Sequence, residues 1–319
     1  MVCRITGSIL LIVLGFGSLQ AASKEPDPAE WAAQIPPAGV TWQPDLPYLA
    51  PERPERMDLF LPAEQPVGKR RPAMVIIHGG GWGGVRMRHR EWNLGCTLAQ
   101  AGYVCINLEY ERSPSRRWPN NVLDCKNGVR FLRKHADQYH IDPNRIGVIG
   151  SSAGGHLALM VAYTTGIAEL SPTTPYPGIP DGVAACVDLY GITDLANRQE
   201  VTDDGTPTGV RLTRAGLFQD SMAKDPERWR LASPISHVRA SSPPTLIIHG
   251  QADALVDRDQ STSLAAALAK VGAIHELVLI PKAPHAFSLD DPKLAIRPWP
   301  LVLKFLGQHL GSRTAATTP

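Results

Sequence analysis

Neither sign of charge dominates this sequence: 32 Lys and Arg stand against 30 Asp and Glu, for a formal net charge of +2. The arginines are spread along the chain rather than gathered, which excludes the basic stripe of a nucleic-acid-binding domain. No apolar run reaches the ~18 residues that a membrane-spanning helix needs. Cysteine is scarce, five in 319 residues. There is no Cys-x-x-Cys pair and no histidine at zinc-ligand distance, so no metal site is expected. Internal repeats and low-complexity tracts are missing as well. Glycine and proline, by contrast, are generous at 28 and 29, which points to many tight turns between elements. With 43% hydrophobic residues the chain can bury one large core, and a single domain is the default expectation.

The first residues carry a separate message. Arg4 precedes an apolar run over 9–16, small residues follow, and Ala21-Ala22 come just before a polar, proline-bearing stretch. That order is the pattern of a signal peptide over 1–22, with a retained membrane anchor as the alternative. The expected destination is the periplasm or the extracellular space, where disulfides are permitted. Cys3 would leave with the peptide. Cys105 and Cys186 sit in strand-like runs and are expected as small buried hydrophobes. Cys96 and Cys125 fall on expected helices, where a bridge between them is one option.

From 23 to 56 an extended N-terminal arm is expected to lead into a strand over 57–61, and the main domain is expected to span 57–312, with a flexible tail over 313–319. The continuous apolar run 73–78, bounded by Pro72 and the glycines from Gly79, has the length and limits of a strand buried on both faces. The pattern then alternates. Helix-like stretches over 91–101, 121–136, 152–164, 258–271 and 299–310 are interleaved with short apolar runs at 103–108, 145–149, 183–189, 245–249 and 275–280. Such alternation predicts an α/β architecture, a mostly parallel sheet with helices on both faces. One interval breaks the rhythm: about 195–244 is polar and turn-rich, with short helices expected around 212–223 and 226–231. A loop region of that length is usually functional, and it is expected to form a small cap.

Gly150-Ser151-Ser152-Ala153-Gly154 fits G-x-S-x-G where a buried strand gives way to a helix. That context is what a nucleophile elbow requires, because a sharp, strained turn lifts the serine clear of the sheet. His78-Gly79-Gly80-Gly81-Trp82 also follows a buried strand. Its glycines can bring backbone N–H groups against a ligand without steric penalty. Together with the N–H of Ala153 they can hold the negative oxygen of a tetrahedral intermediate. A Walker loop would need Gly-Lys-Ser/Thr, which is lacking. His78 itself is expected to fix the loop rather than react.

A serine hydroxyl needs a base to remove its proton, and a basic histidine needs an acid to set its tautomer. In chain order these follow the serine as acid, then histidine. Asp253 stands in the loop after the strand at 245–249, and His285 in the loop after 275–280. Asp257 and Asp259 compete with Asp253, but they sit where a helix begins and suit a cap; Asp188 and Asp194 follow the preceding strand. His249 and His275 lie at strand ends and are expected to serve packing or loop bonding.

Taken in order, these segments resemble the hormone-sensitive-lipase-like α/β-hydrolase esterases, in their bacterial esterase/lipase and feruloyl-esterase-like branch. The likeness covers His78 to Trp82, Tyr110-Glu-Arg-Ser-Pro114, Asp124-Cys-Lys, Val129-Arg-Phe-Leu132, Ile141-Asp-Pro-Asn-Arg-Ile-Gly147, Gly150 to His156 and the two downstream loops. The resemblance implies the α/β-hydrolase fold, Ser152, Asp253 and His285 as catalytic triad, and the N–H groups of Gly80, Gly81 and Ala153 as oxyanion hole. It implies no cofactor. Two departures are visible. Asp257 follows Asp253-Ala-Leu-Val256 where the family often has proline, and Tyr110-Glu-Arg differs from the commoner Tyr-Arg-Leu.

The expected activity is therefore that of a serine carboxylesterase on small acyl esters, including acetyl or feruloyl esters of plant polysaccharide, with Trp82 lining the substrate pocket. The expected partner is a small-molecule or carbohydrate ester, with neither nucleic acid nor stable membrane insertion. An amidase resembling arylformamidase and a non-catalytic hydrolase-fold binding protein are the competing readings.

Overall fold

The computed structural model describes residues 34–64, 68–83, 87–112, 117–197, 217–218 and 222–311. The expected signal peptide, the first part of the arm, much of the cap interval and the tail lie outside the described residues. Eight strands form one sheet in the order β1-β2-β4-β3-β5-β6-β7-β8. Their ranges are β1 Val40–Pro47, β2 Arg56–Pro62, β3 Arg71–Ile77, β4 Val104–Leu108, β5 Ile141–Ser151, β6 Ala185–Leu189, β7 Thr245–Gly250 and β8 His275–Ile280. Strands β4 to β8 and β3 pair in parallel, while β1 and β2 are antiparallel to their neighbours.

Burial explains why the central strands read as unbroken apolar runs. Every residue of β4, β6 and β7 is buried, as are all but the first of β3. Covered on both faces, such strands have no reason to alternate. The edge strand β1 instead shows mixed exposure. It belongs to the stretch expected as an arm: from Val40 that arm is an added strand, paired with β2 from Val40↔Pro62 to Pro47↔Arg56. The sequence has no clear period there because this edge carries a register shift between Gln43 and Leu46.

Six α-helices complete the described fold: α1 Trp92–Gln100, α2 Arg117–Lys134, α3 Ala153–Tyr163, α4 Pro226–Leu231, α5 Asp259–Val271 and α6 Pro298–Leu310. Residues of α2, α3 and α5 pack with Val75, Ile106 and Val148 on one face of the sheet. Those of α1 and α6 pack with Met74, Ile76 and Ile149 on the other. This is the α/β-hydrolase fold, in which strand alternation sorts successive side chains into two cores.

The topology places a crevice. After β3 the chain turns to α1 on one face, and after the adjacent β5 it turns to α3 on the opposite face. Neighbouring strands whose connections diverge leave an opening beyond their carboxyl ends, where ligands of open α/β sheets bind. Both glycine-bearing motifs sit at that opening.

The bridge considered between Cys96 and Cys125 does not form. All four described cysteines are free and buried. Cys96 packs into the core on the α1 side and Cys125 into the core on the α2 side, so the sheet separates them.

Candidate active site

Ser152 ends the turn between β5 and α3 with φ 55° and ψ −121°. A non-glycine residue rarely adopts this conformation, and here close packing enforces it. A Cβ on Gly154 would lie 2.1 Å from the carbonyl oxygen of Ile77, and one on Gly150 would lie 2.1 Å from that of Gly154. Glycine at both positions lets helix α3 begin directly against the end of β3. The hydroxyl of Ser152 is left facing a cavity of about 610 Å³.

His285 reaches this hydroxyl from the loop after β8. Its Nε2 lies 3.0 Å from Ser152 Oγ and its Nδ1 lies 2.7 Å from Asp253 Oδ2. The carboxylate can only accept, so Nδ1 carries the hydrogen and the Nε2 lone pair faces the serine. That is the tautomer a general base requires. The Asp253 side chain is fully buried, and its other oxygen accepts the N–H groups of Leu255 and Val256, both at 2.9 Å. Burial alone would push this carboxyl up. Hydrogen bonds from His249, His285 and the Val256 N–H outweigh it and hold Asp253 well below the usual carboxylate range. Of the competing acids, Asp257 receives the N–H of Asp259 at the start of α5, and Asp188 is buried beneath α3.

The glycine loop forms the facing wall. His78, Gly79, Gly80 and Gly81 line the cavity beside Ser152. Gly80 and Gly81 have φ of 110° and 64°, a region costly for other residues. Ala153 is the first residue of α3, so its N–H has no intrahelical acceptor and is free to meet an anion. His78 serves the loop as expected. Its ring stacks on Tyr110 at 4.5 Å, its Nδ1 lies 2.7 Å from the Gly79 carbonyl oxygen, and burial lowers its pKa to about 4. Tyr110 in turn donates its hydroxyl to the His78 carbonyl at 3.1 Å. Asp124 accepts the N–H of Glu111 and a paired bond from Arg53, so these motif residues brace the loop from behind.

One expected pocket residue does not line it. Trp82 is buried, is not among the described lining residues, and donates its indole N–H to His156 Nδ1 at 2.9 Å. Its ring instead meets that of His156 edge-on, with centroids 5.2 Å apart. The described walls are instead formed by Arg90, Glu91, Asn93 and Thr97 near α1, and by Tyr190, Phe287, Asp290 and Trp299. Glu91, which sequence reasoning missed, is bonded to the residue beside the candidate nucleophile: its Oε1 accepts the Ser151 hydroxyl at 3.0 Å. Burial pushes its carboxyl up, against that bond and nearby Arg90. Nothing local in the sequence marks it, because the contact joins elements sixty residues apart. Among the described residues no group of three or more His, Cys, Asp or Glu is placed to hold a metal, and no helix is long and apolar enough to cross a membrane.

This arrangement of strand-end loops coincides with a match of residues 57–268 to the BD-FAE family model. The chain belongs to the BD-FAE family. The family's span runs from β2 into α5 and so includes the glycine loop, the elbow and Asp253. Esterase LipQ of Mycobacterium tuberculosis is 29% identical over 273 residues, covering 85% of this chain and 63% of that protein. The chain thus spans under two thirds of the length of the curated relatives it matches, 57% for Esterase LipC of the same organism. Among solved structures, a truncated carbohydrate esterase from gut microbiota superposes with TM-score 0.75 at 26% identity, over 85% of this chain and 96% of that one. An acetyl ester-xyloside bifunctional hydrolase from Caldicellulosiruptor lactoaceticus does so with TM-score 0.67 at 28% identity, over 83% and 93%. For this BD-FAE chain the shared part is therefore the hydrolase body.

Proposed function

We propose that the protein is a serine carboxylesterase in which Ser152, His285 and Asp253 act as a catalytic triad. The observation that carries this reading is the unbroken hydrogen-bonded line from Asp253 through His285 to Ser152, opening on a cavity walled by the glycine loop. Esterase names among its relatives support it. In the first half-reaction Ser152 Oγ attacks the ester carbonyl carbon while His285 Nε2 takes its proton. The carbonyl oxygen becomes an oxyanion, held by the N–H groups of Gly80, Gly81 and Ala153. The imidazolium, steadied by Asp253, gives its proton to the departing alcohol oxygen, leaving an acyl-serine. Water, deprotonated by His285, attacks this acyl group, and Ser152 leaves with the proton returned.

Esters of hydroxyl-rich alcohols, acetylated or feruloylated sugars among them, suit the cavity best. Glu91, Asn93, Thr97 and Asp290 offer hydrogen-bonding groups, and Trp299 and Tyr190 offer aromatic surface. The carbohydrate esterases among its structural neighbours favour the same class. Export by the N-terminal segment would bring the protein to such substrates outside the cytoplasm. The test compares wild type with Ser152→Ala on p-nitrophenyl acetate and on acetylated and feruloylated oligosaccharides, with N-formylkynurenine as the amide alternative. Turnover of esters by wild type and not by Ser152→Ala is expected. Equal rates for the two would overturn the reading, and a preference for the formamide would replace it with the amidase one.

A further inference from the structure

A second histidine touches the acid of this site. His249, at the end of β7, is fully buried, and its Nε2 lies 3.2 Å from Asp253 Oδ2 and 2.9 Å from the carbonyl oxygen of Val256. Both of those atoms are acceptors, so Nε2 must carry a hydrogen. On the other side of the ring, Nδ1 lies 2.7 Å from Ser261 Oγ in helix α5. That hydroxyl can turn its hydrogen toward Nδ1, which keeps the tautomer consistent.

The Asp253 carboxylate therefore receives three full donors and a share of a fourth, since the one Nε2 hydrogen of His249 lies between Asp253 Oδ2 at 3.2 Å and the Val256 carbonyl at 2.9 Å. Leu255 and Val256 N–H hold one oxygen, while His285 and His249 share the other. A carboxylate has about four lone-pair sites; three are filled outright and His249 stands against the fourth. Neither oxygen can rotate without losing bonds in a buried place, where an unmet hydrogen-bonding group is costly. The backbone pair alone would fix one oxygen; only His249 fixes the second against His285.

We propose that His249 is a positioning residue for catalysis, one that holds Asp253 Oδ2 in line with His285 Nδ1 through the Nε2 hydrogen it shares between that oxygen and the Val256 carbonyl. The proposal rests on the esterase reading and adds a fifth and fourth member behind the triad, Ser261 and His249. The titratable groups facing His249 are Asp253 on the loop that follows β7, His285 beyond it, and Asp188 on β6, whose charge it meets through the core.

The test uses the full chain with His249→Phe, His249→Gln and Ser261→Ala. Glutamine can place an amide N–H near the Nε2 position; phenylalanine fills the space without a donor. The small change at Ser261 secures a soluble variant if the phenylalanine protein does not fold. His249→Phe should lower kcat on p-nitrophenyl acetate about 10-fold or more with KM changed less than about 3-fold, and His249→Gln should recover most of it. With one donor gone, Asp253 concentrates its charge on His285, so the acid limb of kcat/KM should move to higher pH in His249→Phe and, less, in Ser261→Ala. A role confined to packing would not move that limb. The low-field proton resonance of His285 Nδ1–H should shift in the same two variants and stay near its wild-type position in His249→Gln. This readout needs no turnover, so a failure of the esterase reading leaves it informative. An unchanged resonance together with an unchanged acid limb in a folded His249→Phe or Ser261→Ala protein would overturn the proposal, as would equal impairment by phenylalanine and glutamine.

Discussion

The indole of Trp82 donates to His156 Nδ1 at 2.9 Å, and His156 Nε2 lies 2.8 Å from the carbonyl oxygen of Ala232. Because Nδ1 accepts, Nε2 carries the hydrogen and donates to Ala232. One buried imidazole thus ties the glycine loop to the elbow helix α3 and to the residue that follows α4. The loop's conformation depends on the segment between β6 and β7, far away in the chain.

Trp82→Phe leaves His156 Nδ1 without its donor in the core, a loss of about 1–3 kcal/mol. The midpoint of urea unfolding should fall accordingly. Turnover should fall as well, since the glycines proposed to face the oxyanion move with the loop. His156→Ala should cost more, because it removes both bonds and opens a cavity.

Gly154 and Gly81 should respond in opposite ways to alanine. At Gly154 the new methyl would meet two backbone oxygens, those of Ile77 at 2.1 Å and His78 at 2.5 Å. Neither strand end can yield, so Gly154→Ala should lose about 3 kcal/mol or more and much of its soluble yield. At Gly81 the space is open and only the φ of 64° resists, which costs about 1–2 kcal/mol. Gly81→Ala should fold, with its defect in kcat. Thermal melts beside ester turnover distinguish the two.

Asp253→Asn should abolish activity through a tautomer. The N–H groups of Leu255 and Val256 demand an oxygen at the Oδ1 position. The amide nitrogen must then take the place of Oδ2, opposite His285. His285 can answer only by moving its hydrogen to Nε2, where it can no longer accept from Ser152. A loss of about 10⁴-fold in kcat with the fold intact is expected, read by ester hydrolysis and circular dichroism.

Asp188 predicts how stability varies with pH. Burial raises its carboxyl from 3.8 to about 7, against the pull of His249 and the Gly191 N–H. A raised carboxyl means that the folded state binds the proton more tightly than the unfolded state. Between about pH 4 and 7 the unfolded chain therefore holds fewer protons, and this group's contribution to stability falls as pH rises. Asp188→Asn, which keeps an acceptor for Gly191, should flatten that slope. Melting temperatures from pH 4.5 to 8 would check it, and a variant slope as steep as wild type would refute the assignment.

Much of this protein was legible before folding. The expected strands at 57–61, 73–78, 103–108, 245–249 and 275–280 fall within a residue or two of β2, β3, β4, β7 and β8. Buried strands and amphipathic helices announce themselves by local periodicity, and glycines by the turns they permit. The order of motifs likewise placed Ser152, Asp253 and His285 on strand-end loops, and the structure brings them together.

The edge strand β1 was not legible, since half-exposed edge strands need no regular pattern and its partner lies in the next element. Tertiary structure alone decided three matters: that Trp82 turns inward to His156, that Glu91 rather than Trp82 meets the cavity beside the elbow, and that His249 bonds the acid. Each depends on the direction of a side chain across elements far apart in the chain. Sequence specifies which elements form and which residues stand at their ends; only the packing of those elements sets the few tenths of an ångström and the hydrogen positions on which a serine's reactivity turns.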